Sequence, residues 1–335
     1  MPEFPGRADF WNIGYPYAGA LVYLVAPIAL ASIAYAIRRR WRVWHTAVGE
    51  VELGPTAERW KAFLALVATG LVAHRQFVRR RDLYPGIMHF AIFWGFSILL
   101  LATTVAALEF NAEKYLNWVW PTAHVRVPLG FAWDILGGGL AAVGLSMALW
   151  RRYVMRPGRL NTALDDGFVM TFLFGLLITG FLIEGLRIGA TELNPASIYY
   201  DPSVAGWSPI GWVVAKSLLG IGFSVGFLET AHAATWWLHA GIFAGAFVYA
   251  ALRFSRLTHM IVSPMNWYYR SLQPRGGLKS MGDFETLETF GAKDLPDLTW
   301  TQLMSFDACT NCGRCQDVCP AYLSGKPLSP RKLIQ

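Results

Sequence analysis

Cysteine is almost missing from this chain. Four occur among 335 residues, all within a dozen positions of one another near the end, so no disulfide framework of the kind that staples small secreted domains runs through it. Charge is scarce as well. Acidic and basic residues together make up 15%, against 54% hydrophobic residues and 15 tryptophans, which excludes an ordinary soluble enzyme and indicates an all-α polytopic membrane protein. The start lacks the basic n-region and small-residue cleavage site of a secretory leader. It carries Pro2, Glu3, Pro5, Asp9 and Pro16 instead, so no cleavable signal peptide is expected.

Apolar runs long enough to cross about 30 Å of hydrocarbon lie near Tyr17–Ile37, Gly86–Leu108, Leu129–Trp150, Gly167–Ile188 and Phe227–Leu252. Five transmembrane helices are therefore expected. Ile210–Phe223 is shorter and holds Lys216, which suits an interfacial or re-entrant segment. One side of this arrangement is poor in basic residues, with Arg7, Lys114, Arg126, Lys216 and the borderline Arg187. The loop after span one, from Arg38 to Arg81, and the loop after span three, from Arg151 to Arg159, hold far more. Because cytoplasmic loops retain lysine and arginine, the N-terminus is expected outside and the C-terminus inside the cell membrane. The same asymmetry accounts for the formal net charge of +7, so no nucleic-acid partner is inferred. Trp60–Arg81 reads as a surface helix broken by Tyr84-Pro85-Gly86 before span two, and Pro264–Trp300 as a polar linker. The expected divisions are an outer segment at 1–16, a five-span domain at 17–263, a cytoplasmic linker at 264–300 and a final segment at 301–335.

That final segment contains Cys309, Cys312, Cys315 and Cys319 followed by Pro320. The spacing C-x2-C-x2-C-x3-C-P is the bacterial [4Fe–4S] ligand run, and Gly313 permits the positive φ that such a wrap needs. Zinc would want two separated pairs. In two-cluster ferredoxins the fourth cysteine reaches the other cluster, so a partner run is expected beyond Gln335 or on another subunit. Leu328–Ile334 reads as the start of a helix cut short, which favours truncation.

Three of the seven histidines occupy informative positions, and neutral imidazole is a good axial ligand for haem iron. His89 lies near the inner start of span two, His239 in the outer half of span five, and His259 at that helix's inner end. Twenty residues along one helix are about 30 Å, so His239 and His259 are expected to serve different haems, with His89 and His259 clamping the inner one. In span four, Glu184 and Arg187 stand one turn apart. They could form a proton-exchanging quinone site or an interfacial ion pair; Asp134 and Lys216 are weaker candidates of the same kind.

Spans two and five, with His89, His239 and the Phe254-Ser-Arg-Leu-Thr-His259 segment, resemble the dihaem cytochrome b subunit of respiratory nitrate reductase and the membrane subunit of heterodisulfide reductase. The cysteine-rich tail resembles the ferredoxin-like part of that reductase's catalytic subunit. The resemblance implies two haem b groups, [4Fe–4S] clusters and menaquinone or another quinone. It also implies a soluble electron-transfer partner, either a flavoprotein or an iron–sulfur subunit, hence an electron-transferring-flavoprotein:menaquinone role. The nitrate reductase subunit has a second span-two histidine where this chain has Leu99. His239 thus lacks a carried-over partner: His124 and His232 are candidates for the outer-haem environment, or the iron is five-coordinate. His232 shares a helix with His239 and suits a propionate or quinone contact; His74 reads as structural and His45 as a solvated or headgroup residue. The other readings are a cytochrome b anchor for a separate catalytic subunit and a redox-sensing membrane scaffold.

Overall fold

The computed structural model describes residues 11–14, 23–75, 78, 80–118, 129–253, 256–273, 285 and 291–335. Among these the chain is built from helices, and the one β-type contact is an isolated parallel bridge between Gly49 and Thr299. Helices α1 (Val25–Trp44) and α2 (Thr56–Leu66) come first. Four helices long and apolar enough to cross a membrane follow: α3 (Leu83–Leu116), α4 (Leu129–Met155), α5 (Leu164–Ala190) and, after the shorter apolar α6 (Pro209–Ile221), α7 (Val225–Arg253). Then come α8 (His259–Tyr268), α9 (Trp300–Asp307) and α10 (Pro330–Ile334).

The chain divides into two compact units. One takes in Met1–Ala29, Phe77–Val154 and Met170–Ala246; the other takes in Leu30–Gln76, Met155–Val169 and Phe247–Gln335. In the first, α3 and α4 touch through their backbones. A Cβ on Gly95 would stand 2.5 Å from the Ala141 nitrogen, and one on Gly144 would stand 2.7 Å from that of Ile92. Lipid gives apolar side chains no reason to leave it, so spans associate where small residues allow such contact. Ala141, Leu145 and Leu177 are buried at this seam with Ile92, Phe96 and Leu99 packed on them. Leu99 is thus a half-buried packing residue of this seam. Asp134 is buried, and its Oδ2 accepts the Ile210 N–H at 2.5 Å. A carboxylate from α4 therefore caps the N-terminus of α6, where the helix dipole favours negative charge.

In the second unit Trp44, Val262, Leu303 and Met304 form the core. The α9 start is fixed by a reciprocal capping box: Thr299 N–H donates to Gln302 Oε1 at 2.8 Å, and Gln302 N–H donates to Thr299 Oγ1 at 3.2 Å.

Several expectations change. The first expected span is described only from residue 23, and its helix continues past Ile37 to Trp44. The expected helix over 60–81 is interrupted, because α2 passes into a π-turn at Val67–Val72 and His74 takes a left-handed φ of 49°. Tyr84-Pro85-Gly86 opens α3 rather than preceding it, since proline in a first turn has no intrahelical bond to lose. Pro264, expected to begin the linker, lies inside α8. His239 and His259 do not share one helix: α7 ends at Arg253, a 3-10 turn covers Arg256–Thr258, and His259 begins α8. The break has a cause, because the Arg256 N–H goes to Asp165 Oδ2 at 3.2 Å instead of to a helical carbonyl. The 30 Å helical separation therefore does not apply.

Candidate functional site

The cysteine loop grows from the end of α9. Cys309 N–H donates to Phe306 O at 3.0 Å, and the chain then turns through Asn311 at φ 56° and Gly313 at φ 75°. Side chains beyond glycine and asparagine tolerate that conformation poorly. Gly313 is required twice, since a Cβ there would fall 2.5 Å from the Arg159 carbonyl oxygen. Cys315 sits in the short turn Arg314–Asp317, and Cys319 precedes a second turn opened by Pro320. Cys309, Cys315 and Cys319 are half-buried and Cys312 is exposed, all as free thiols.

Four contacts fasten this loop within its unit. Arg159 Nη1 pairs with Asp317 Oδ2 at 2.5 Å. Ser329 donates to the buried Gln316 side chain at 2.8 Å, tying the start of α10 to the loop, and Arg331 Nη1 donates to Arg159 O at 2.6 Å. Arg256 Nη1 donates to Thr310 O, between the first two cysteines, at 2.7 Å. The same guanidinium pairs through Nε with the buried Asp166 at 2.5 Å. Asp165 accepts from the Tyr249 hydroxyl at 2.8 Å. Arg40 and the Trp44 indole N–H both reach Asp307 Oδ2, at 3.7 and 2.7 Å. Among the described residues, no three His, Cys, Asp or Glu side chains close on a single ion. Four thiols on a loop with two left-handed residues and several guanidinium groups around it nonetheless suit a thiolate-held cluster, which is larger than one ion and carries negative charge.

His259 lies in the same unit. Its Nδ1 meets the Arg256 carbonyl oxygen. A carbonyl only accepts, so the proton is on Nδ1 and Nε2 carries the lone pair. Burial holds this imidazole below its usual value, which favours the neutral form that binds metals. In the other unit His239 Nδ1 lies 2.8 Å from Thr179 Oγ1, and that hydroxyl lies 2.6 Å from Gly175 O. The single hydroxyl proton serves Gly175, so Thr179 accepts from His239 Nδ1–H and again leaves Nε2 as the lone-pair nitrogen. Both residues therefore fit an axial haem ligand. His89 is half-buried near the start of α3 in the first unit. His232 is buried, its ring tilted against that of Trp11 at 5.0 Å, with its Nδ1 lacking a hydrogen-bond partner among the described residues. His124 lies outside the described residues.

Arg187 does form an ion pair, but with Glu192 at 2.5 Å rather than with Glu184. Glu184 instead lies over Gly211 of α6, where a Cβ would stand 2.6 Å from its Cγ and 2.8 Å from its Oε2. His74 is fully buried. His45 is exposed and stacks between Trp41 at 4.3 Å and Trp300 at 5.3 Å. Lys216 lies 5.8 Å from the Trp212 ring centre. Thr179, Asp165, Asp166 and Glu192 were missed from sequence. The paired aspartates at the mouth of span four were the one visible signal among them.

Residues 300–321 match the family model described as a 4Fe-4S binding domain. The chain is 33% identical to the EtfAB:quinone oxidoreductase of Syntrophomonas wolfei over 99% of its own length and 44% of that protein's. It is 27% identical to the probable iron-sulfur-binding oxidoreductase FadF of Bacillus subtilis, over 96% of this chain and 43% of that one. It is 26% identical to one subunit of the dihydromethanophenazine:CoB–CoM heterodisulfide reductase of Methanosarcina acetivorans, over 55% of this chain and 70% of that one. The chain thus spans less than half the length of the first two relatives. No solved structure matches it. These similarities and the apolar helices make it a membrane protein similar to iron–sulfur oxidoreductases.

Proposed function

We propose that this chain is the electron-transfer part of a membrane oxidoreductase. It links menaquinone or another quinone to a soluble partner such as an electron-transferring flavoprotein or a thiol/disulfide reductase. In this reading, within a five-span protein, His89 near the start of α3 and His259 at the start of α8 are ligands of an inner haem b, and His239 on α7 is a ligand of an outer one. Cys309, Cys312 and Cys315 ligate one [4Fe–4S] cluster on the cytoplasmic side, and Cys319 reaches a second. When bound, these groups supply one-electron carriers, and the protein sets their position and access.

Arg256 carries the reading. Its carbonyl fixes the tautomer of His259, while its guanidinium donates to Thr310 inside the cysteine loop. One residue thereby orients a histidine lone pair and fastens the thiolates, as expected where a haem ligand and a cluster must be held at a set spacing. Thr179 orients His239 in the same manner. His232 and His124 belong in this reading to the outer-haem environment, and Glu184 and Arg187 to a quinone site where a positioned carboxyl exchanges protons. Arg187 is held there by Glu192.

The test is the visible spectrum of dithionite-reduced membranes containing the protein. A two-component b-type α-band is expected, with His259→Ala removing one component and sparing the other. Membranes without haem would end the proposal, and loss of both components together would end the assignment of the two histidines to separate haems.

A further inference from the structure

The arginines of α1 divide between two destinations. Arg40 turns to Asp307, while Arg38, Arg39 and Arg42, with Tyr35, line a cavity of about 330 Å³. Arg39 is anchored by donating to Leu252 O at 3.2 Å. Among the described residues, no carboxylate lies within ion-pair distance of these three arginines. Positions 35, 38, 39 and 42 recur at three- and four-residue intervals, so they share one face of the helix. Like charges on successive turns repel, and an anion between them relieves that repulsion. Guanidinium forks match phosphate oxygens in pairs.

The helix also indicates where the phosphate comes from. Its earlier turns, Val25–Ile37, are apolar, and Leu30 and Tyr35 are exposed. An aromatic residue and basic residues at the end of an apolar helix mark the headgroup level of a bilayer. We infer that Tyr35, Arg38, Arg39 and Arg42 bind the phosphate-bearing headgroup of an anionic phospholipid, its acyl chains lying along the apolar turns. A soluble phosphate would share the guanidinium contacts but not the apolar ones.

The purified full chain would be titrated in detergent with phosphatidylglycerol, phosphatidylcholine and inorganic phosphate, with thermal midpoint and native mass spectrometry as readouts. Phosphatidylglycerol is expected to be retained and to raise the midpoint, with phosphatidylcholine and phosphate ineffective. Arg38→Gln/Arg42→Gln should weaken binding by about tenfold or more, the scale of a lost charge-assisted bond. Arg38→Lys/Arg42→Lys keeps the charge that helps orient the spans and should fold normally, with intermediate affinity. Equal effects of phosphatidylglycerol and phosphatidylcholine, or phosphatidylglycerol binding undiminished in both variants, would overturn the site. An equal effect of inorganic phosphate would overturn the lipid assignment.

Discussion

Removing one partner of a buried ion pair is costly, which makes Arg256 a residue with much to lose. Asp166 is 3% exposed, its Oδ1 paired with Arg256 Nε and its Oδ2 accepting the Ala163 N–H at 2.8 Å. Arg256→Gln should therefore cost about 2 kcal/mol by removing the cation from that buried carboxylate, and adding Asp166→Asn should restore part of the loss. Denaturation of the single and double variants measures this, and additive losses would show that the two side chains act independently. His74 offers a pH test. Burial lowers its pKa from 6.5, against smaller raising effects of the Leu71 and Val72 backbone. The unfolded chain then binds more protons than the folded one, so His74 contributes stability that is present above pH 6.5 and lost as pH falls below it. Thermal midpoints should drop on acidification through that range, and His74→Gln should flatten the dependence. At this scale the sequence was informative where chemistry and spacing coincide. Gly313 takes the positive φ its place in the run demanded. Asp165 and Asp166 were passed over because their partners stand some ninety residues away in Arg256, and no local pattern connects them.

Elements were legible where hydrophobic length alone decides. The four apolar helices follow the expected runs with longer ends. What failed was the assumption of continuity. An unbroken polar–apolar pattern from span five to His259 conceals a break that exists because Asp165 takes a backbone N–H from across the chain. Similarly, the short apolar segment 210–223 gave no hint that Asp134, weighed as a proton carrier, caps it as helix α6. Asp134→Ala removes that cap at a cost of about 1–2 kcal/mol. The loss should be read as faster hydrogen exchange confined to the first turn of α6. Unchanged exchange there, with altered quinol oxidation instead, would return Asp134 to the proton-carrier role.

For the molecule as a whole, composition indicated a membrane protein, in keeping with the four apolar helices, and the cysteine run indicated the segment that matches a 4Fe-4S binding domain. The distribution of side chains between compact units could not be read from a linear order of residues. His89 and His239 fall in the first unit and His259 in the second, although sequence periodicity had joined His239 and His259. The proposed activity requires a proton-exchanging group on the quinone side, separate from the histidines. Glu184 suits that role because Gly211 lets its carboxyl lie over the α6 backbone, while Arg187 is engaged by Glu192. A carboxylate held structurally by Arg187 would be a poor proton carrier, whereas one without that ion pair can cycle. Glu184→Gln keeps the shape and removes the titratable proton, so haem content and thermal midpoint should hold while quinol-linked reduction falls by about 10²-fold, the scale of a lost general base. An unaltered rate would place proton exchange elsewhere, and a collapsed midpoint would make Glu184 a packing residue of the α5–α6 contact.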